Sequence, residues 1–349
     1  MVGRVLLMTT TDAAPVIVTR GLTRHFTARK QTVEAVRGLD LEIGQGELVA
    51  FLGPNGAGKS TTLRMLTTLI PPTSGTASVA GHDVVTEQRE VRRAIGFVGQ
   101  GNGAGHVQRG RDELVSQGRA HGLSRAQARS RADELVEDLD LSAVADRKVS
   151  TLSGGQRRRL DIAMGLVHLP RVLFLDEPST GLDPQNRANL QGLVERLHAS
   201  TGSTIVLTTH YLEEADALAE RVIVIDHGTV IADDTAHSLK SGLGDLVTLG
   251  LVDEIDATVA AEHAALLDGA VVERTGRMVT VRVAGGHELA PGLLASLERR
   301  GMAPRSIEVT RPTLDDVFLD LTGRSLREAQ ENADASTPTD HSHEKVEAA

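Results

Sequence analysis

Two short stretches of this chain carry residue types at spacings suited to phosphate chemistry. The run GPNGAGKST, Gly53 to Thr61, satisfies the pattern G-x-x-x-x-G-K-[ST] through Gly53, Gly56, Gly58, Lys59 and Ser60. In such a loop the backbone of Gly53, Pro54, Asn55, Gly56, Ala57 and Gly58 wraps nucleotide phosphates. Lys59 supplies a point charge to the β- and γ-phosphates, the Ser60 hydroxyl reaches Mg²⁺, and Thr61 continues into the helix. The second stretch, STLSGGQRRRL, places Ser153, Gly154, Gly155 and Gln156 where a turn opens into a helix. A glycine pair lets N–H groups crowd toward an anion, and the positive end of the helix favours negative charge. A chain with one complete phosphate loop has no obvious use for another, so whose phosphate this turn holds is left open by these residues alone.

An acidic pair completes the candidate chemistry. Asp176 and Glu177 end the apolar run RVLFLDEP, at the strand end where ligands collect in open α/β sheets. There Asp176 suits Mg²⁺, and Glu177 can polarise a water against the γ-phosphate. His210 ends STIVLTTH and is a candidate γ-phosphate contact; Gln100 ends AIGFVGQ and is a candidate for Mg²⁺ or its water. The run GQGNGAGH invites a dinucleotide reading, but no acidic residue on a following strand completes that fingerprint, so it reads as flexible chain.

These residues need elements to hold them. The strand LVAFLG runs into the Gly53 loop, and KSTTLRMLTTLI has helical apolar spacing until Pro71-Pro72 stops it. Upstream, 16–43 alternates in β-type runs. Past Gln100 the chain is rich in helix formers to Leu169 and reads as an inserted helical subdomain, about 101–169. Strands and helices then alternate through RVIVIDHGTVIAD, which implies a largely parallel sheet covered on both faces. From 242 to 325 the order β-α-β-β-α-β predicts a small α+β, ferredoxin-like domain. The expected organisation is an α/β P-loop NTPase core of the RecA-like kind over 15–241, that second domain, a leader at 1–14 and a disordered acidic tail at 326–349.

Composition narrows the partners. At 349 residues the chain has room for two domains, and with aromatics at 2% its core must be aliphatic. The net charge of −10 opposes general attraction to nucleic acid or an anionic membrane, leaving only local patches such as Arg157-Arg158-Arg159. With no cysteine, disulfides, thiolate zinc sites and a cysteine nucleophile are excluded. The first residues hold an apolar run shorter than the ~7–15 residues of a signal-peptide core, and Met8 is an alternative start. No run approaches the roughly 18 apolar residues of a spanning helix, so service at a membrane would go through a partner.

Taken together, GPNGAGKST, Gln100, LSGGQ at 152–156, LFLDE, STGLD at 179–183 and His210 resemble, in order, the motifs of ABC transporter nucleotide-binding subunits over about 16–234. The resemblance implies ATP and Mg²⁺ as cofactors and a head-to-tail homodimer in which each ATP lies between one P-loop and the other copy's LSGGQ turn. Ser153 and Gly155 would then hold the γ-phosphate of the partner's ATP. It also implies an aromatic under the adenine, for which Phe26 is the candidate. Catalytic roles fall to Glu177, His210 and Lys59, and metal binding to Ser60, Gln100 and Asp176.

Further runs, among them TTHYLEEADAL and RPTLDDVFLDLTGR, look most like the daunorubicin-resistance-type exporter ATPases. That branch implies an ATPase on the cytoplasmic side of the cell membrane, energising drug efflux through a separate ABC-2-type permease, with no nucleic acid involved. Export of polysaccharide or lipid is the nearest alternative, and a soluble ABC ATPase acting on DNA or ribosomes a more distant one. The departure is GNGAGHVQRGRDEL, which stands after Gln100 where such relatives carry an apolar, aromatic-containing segment that meets the permease.

Overall fold

The computed structural model describes residues 14–28, 31–101, 103–105, 107–326 and 328–330. Strands β1 (Ile17–Ala28) and β2 (Gln31–Ile43) pair antiparallel from Ile17↔Ile43 to Ala28↔Gln31. After β3 (Leu48–Leu52) and α1 (Lys59–Leu66) come β4 (Ser74–Val79) and β5 (His82–Asp83), which join β1 in a separate sheet of order β2-β1-β4-β5. The alternating 16–43 segment therefore stands outside the parallel sheet. Its short connection allows only antiparallel pairing, since a parallel partner needs a crossover of a dozen or more residues.

Then follow α2 (Gln88–Ala94), β6 (Ile95–Val98), α3 (Gly110–Ala120), α4 (Arg125–Asp138), α5 (Gly154–Leu166) and β7 (Val172–Asp176). Ser124 and Ser153 begin α4 and α5 with capping boxes to Gln127 and Gln156. Next come α6 (Pro184–Thr201), capped by Asp183, then β8 (Thr204–Thr209), α7 (Leu212–Leu218), β9 (Arg221–Asp226) and β10 (Thr229–Asp234). The second sheet has the order β10-β9-β3-β8-β7-β6, and β6, β7, β8, β3 and β9 pair in parallel.

Every residue of β3, β7 and β8 is buried, which is why their centres (LVAFL, VLFL, IVL) are continuous apolar runs rather than alternating ones, with polar residues such as Thr208 and Asp176 at their ends. Phe51 and Phe174, both 0% exposed, share one cluster with Leu63 and Leu66 of α1 and with Ile17 and Leu39 of the first sheet. Helix α1 is thus packed between two sheets, and the loop before it has little freedom to move.

Compact packing divides the chain at Val230/Ile231, earlier than the expected break after 241. The reason is α8 (Ala236–Ser241), which packs against α11 (Leu314–Thr322) within the second unit. Between them lie β11 (Asp245–Gly250), α9 (Glu254–Ala264), β12 (Val271–Thr275), β13 (Met278–Val283), α10 (Gly286–Arg299) and β14 (Ser306–Thr310). These elements run β-α-β-β-α-β, and the antiparallel sheet has the order β12-β13-β11-β14. Leu326 and Ala329, which the expected tail includes, are 1% and 2% exposed, and the Leu326 N–H donates to Asp315 Oδ1 at 2.8 Å. The rest of the expected tail and the leader up to residue 13 lie outside the described residues. Among those described, no helix is long and apolar enough to cross a membrane.

Candidate nucleotide and catalytic site

Because β3, β6, β7 and β8 are parallel, the segments that follow them gather along one edge of the sheet. The Gly53 loop leaves β3 under tight constraint. A Cβ at Gly53 would collide with Ile225 O, and one at Gly58, whose φ is 106°, would stand 2.5 Å from Ala35 O. Only glycine lets the loop lie this close to its neighbours. Lys59, 4% exposed, donates from Nζ to Gly53 O at 2.7 Å and Pro54 O at 2.9 Å. Burial pushes its pKa down to about 8, while Glu177 and Asp176 pull it back up. The loop is a cradle with its cation held inside.

Asp176, 1% exposed, organises the opposite wall. Its Oδ1 accepts the Ser60 hydroxyl at 2.7 Å and the Thr208 hydroxyl at 2.8 Å, and Thr208 Oγ1 in turn accepts the Glu177 N–H at 2.9 Å. One side chain on β8 therefore holds both members of the acidic pair. Glu177 has a positive φ of 46°, strained for a residue with a side chain. Its Oε2 lies 3.6 Å from His210 Nδ1 and accepts the Thr180 hydroxyl at 3.2 Å. The His210 ring lowers the Glu177 pKa against the opposing effect of burial, with Lys59 and Thr180 adding to it. The carboxylate is thus held ionised beside a histidine.

Oxygen donors at Ser60 and Asp176 are the kind Mg²⁺ takes, and the glycine cradle with Lys59 fits a polyphosphate, so the residues present suit both groups. Gln100 is exposed, two residues past the end of β6. Phe26 is 39% exposed, carries the Arg24 guanidinium 4.7 Å from its ring centre, and pairs with Val33. Val33 lies two residues along β2 from Ala35, the neighbour of Gly58, which puts Phe26 on the strand pair beside the loop.

The SGGQ turn is built differently. Ser153 Oγ accepts the Gln156 N–H at 3.3 Å and Gln156 Oε1 accepts the Ser153 N–H at 3.0 Å. Ser153 and Gly154 are exposed, whereas a Cβ at Gly155 would stand 2.6 Å from Asn186 Oδ1 of α6. The turn thus rests on α6 and presents its open side outward. The basic run beside it is not one surface patch, because Arg158 is buried at 7% exposure. Residue types alone missed Thr208, Arg158, Asp161 and Glu214. The last is 1% exposed, with burial raising its pKa. Polar residues at the end of an apolar strand or on an inward helix face were the available signal.

A model of the ABC transporter family matches residues 36–180. The chain is 44% identical over 298 residues to the daunorubicin resistance ATP-binding protein DrrA3 of Streptomyces coeruleorubidus, spanning 85% of this chain and 94% of that one. It is 43% identical over 328 residues to the daunorubicin/doxorubicin resistance ATP-binding protein DrrA of Streptomyces peucetius, spanning 92% and 98%. Among solved structures, a dimeric post-hydrolysis state of the ATP-binding cassette MJ0796 bound to ADP and Pi is similar, with a TM-score of 0.58, 27% identity and coverage of 63% of this chain and 98% of the other. With phosphate loop, acidic pair and SGGQ turn in place and relatives matched along nearly their whole length, this chain belongs to the ABC transporter family of ATP-binding proteins.

Proposed function

We propose that this chain is the ATP-hydrolysing subunit of an exporter for a drug or antibiotic-like compound. The observation that carries the reading is the network Ser60–Asp176–Thr208–Glu177, which joins the phosphate loop to an ionised carboxylate. The loop from Gly53 to Thr61 binds the triphosphate and Phe26 underlies the adenine. Ser60, Asp176 and Gln100 hold Mg²⁺, which when bound neutralises phosphate charge. Glu177 orients and polarises the attacking water, while His210 steadies the carboxylate and reaches for the γ-phosphate.

Two copies work head to tail. The exposed faces of Ser153 and Gly154, together with Gly155 and Gln156, receive the nucleotide of the opposite copy, which answers why one chain carries two anion sites. The permease is of the ABC-2 type and holds the ATPase peripherally at the cytoplasmic side of the membrane. A cavity of about 370 Å³ beside the segment after Gln100, lined in part by Phe97, Gly103, Gln117, Asp161 and His168, supports that docking.

The test is a pull-down from native membranes of full-length Glu177→Gln with ATP, a variant expected to bind but hardly to hydrolyse. Recovery of a polytopic membrane protein at near-equal amount is the expected outcome. Recovery of ribosomal or DNA-repair proteins instead would keep the ATPase chemistry and overturn the exporter.

A further inference from the structure

Arg158 lies on the helix that begins at the SGGQ turn, yet it points into the chain rather than toward that turn's exposed face. Its guanidinium donates from Nη1 to Gly99 O at 2.6 Å, from Nε to Pro178 O at 2.8 Å and from Nη2 to Asp176 O at 3.2 Å. The first carbonyl immediately precedes Gln100; the other two flank Glu177. Three residues on, Asp161, 5% exposed, accepts the N–H groups of Gly103 and Ala104 through Oδ1 at 3.1 and 3.0 Å. Helix α5 therefore grips the main chain on both sides of Gln100 and on both sides of Glu177.

The bonding pattern speaks against a mere scaffold pair. A buried guanidinium must have its donors satisfied, and here they go to main-chain carbonyls at the end of β7 and in the segments after β6 and β7 rather than to the neighbouring carboxylates. What is held is the position of two loops. A planar fork with several donors in fixed directions suits that task, and a lysine, a single point of charge, does not.

We propose that Arg158 is a positioning residue that acts within its own chain, setting Gln100 and Glu177 there, although the SGGQ turn on the same helix serves the opposite copy. This rests on the two-copy arrangement proposed above. One rigid helix then joins the two nucleotide sites: a shift of α5 as its turn meets the opposite copy's nucleotide moves the water-orienting carboxylate of its own site.

In the full-length protein, Arg158→Gln should lower kcat for ATP hydrolysis by about 10- to 100-fold, as a displacement near 1 Å would. KM for ATP should change by less than about twofold, because the phosphate loop is untouched. Arg158→Lys should recover part of the rate. Mixed dimers decide where the residue acts. With Lys59→Ala on one chain, the remaining site uses the other chain's Glu177 and the Lys59→Ala chain's SGGQ turn. Adding Arg158→Gln to the Lys59→Ala chain should leave hydrolysis unchanged, whereas adding Ser153→Arg to it should abolish hydrolysis. Loss in the Arg158 arrangement overturns action within the chain. Survival in the Ser153 arrangement overturns the two-copy reading instead, and the two failures are therefore distinct.

Amide hydrogen exchange on the single chain gives a readout that needs no turnover. Arg158→Gln should speed exchange at Gly103, Ala104, Glu177 and Thr180 by about tenfold or more while β3 stays protected, the signature of local opening. Unchanged exchange at these four amides, or equal acceleration across β3, would overturn the proposal.

Discussion

The Thr208 hydroxyl donates to Asp176 Oδ1 at 2.8 Å and accepts the Glu177 N–H at 2.9 Å, so a single hydroxyl on β8 sets both acidic residues at the end of β7. Thr208→Val keeps the shape and removes both bonds, leaving a buried N–H without a partner at a cost of about 1–3 kcal/mol. Hydrolysis should fall at least about tenfold with ATP affinity little changed, and Thr208→Ser should keep most of the activity. Steady-state ATPase assays on the two variants check this; a Val variant as active as the parent removes Thr208 from the site.

Gly58 has a φ of 106°, and a Cβ there would meet Ala35 O at 2.5 Å. Gly58→Ala must therefore move either the loop or β2. Nucleotide affinity should drop by about tenfold or more, since the cradle depends on main-chain position, and the strained φ adds about 1–3 kcal/mol of instability. Binding of a fluorescent ATP analogue measures the first effect and thermal melting the second.

His168 stacks on His121 with ring centres 3.8 Å apart, and its Nε2 bonds Ile95 O at 2.8 Å. Burial, with the neighbouring His121 adding, lowers its pKa from 6.5 to about 4. Between these two values the unfolded chain binds a proton that the folded chain does not, so this residue makes stability rise with pH over that window and fall as pH drops toward 4. Replacing it with Gln should flatten the part of the Tm-against-pH curve between about pH 6.5 and pH 4. An unchanged slope would mean that the ring is protonated in the folded state.

Leu326 is 1% exposed and follows α11 with its N–H tied to Asp315. Leu326→Ala should destabilise the second unit by about 2–5 kcal/mol through lost burial and the cavity left behind. Chemical unfolding of the full-length variant, followed as a separate transition of that unit, measures the loss. A change below about 0.5 kcal/mol, as at a solvated position, would return Leu326 to the acidic tail.

The phosphate loop, the acidic pair, the SGGQ turn and the alternation of strands and helices around them were legible in the amino-acid sequence alone. Each of these is local: a glycine spacing, a cap such as Ser153 or Asp183, or an unbroken apolar run such as VLFL at 172–175, whose chemistry is complete within a few residues. Tertiary structure decided the rest. Thr208 looked like one more residue of a buried strand, and its role appears only because β8 lies beside β7 in parallel register. Arg158 looked like part of a basic surface run, and its inward direction depends on which face of α5 meets the loops after β6 and β7. The antiparallel pairing of 17–43, the break within β10 and the burial of Leu326 likewise depend on contacts between distant segments. Local periodicity says which face of an element is apolar; it does not say which main-chain carbonyls will be waiting there.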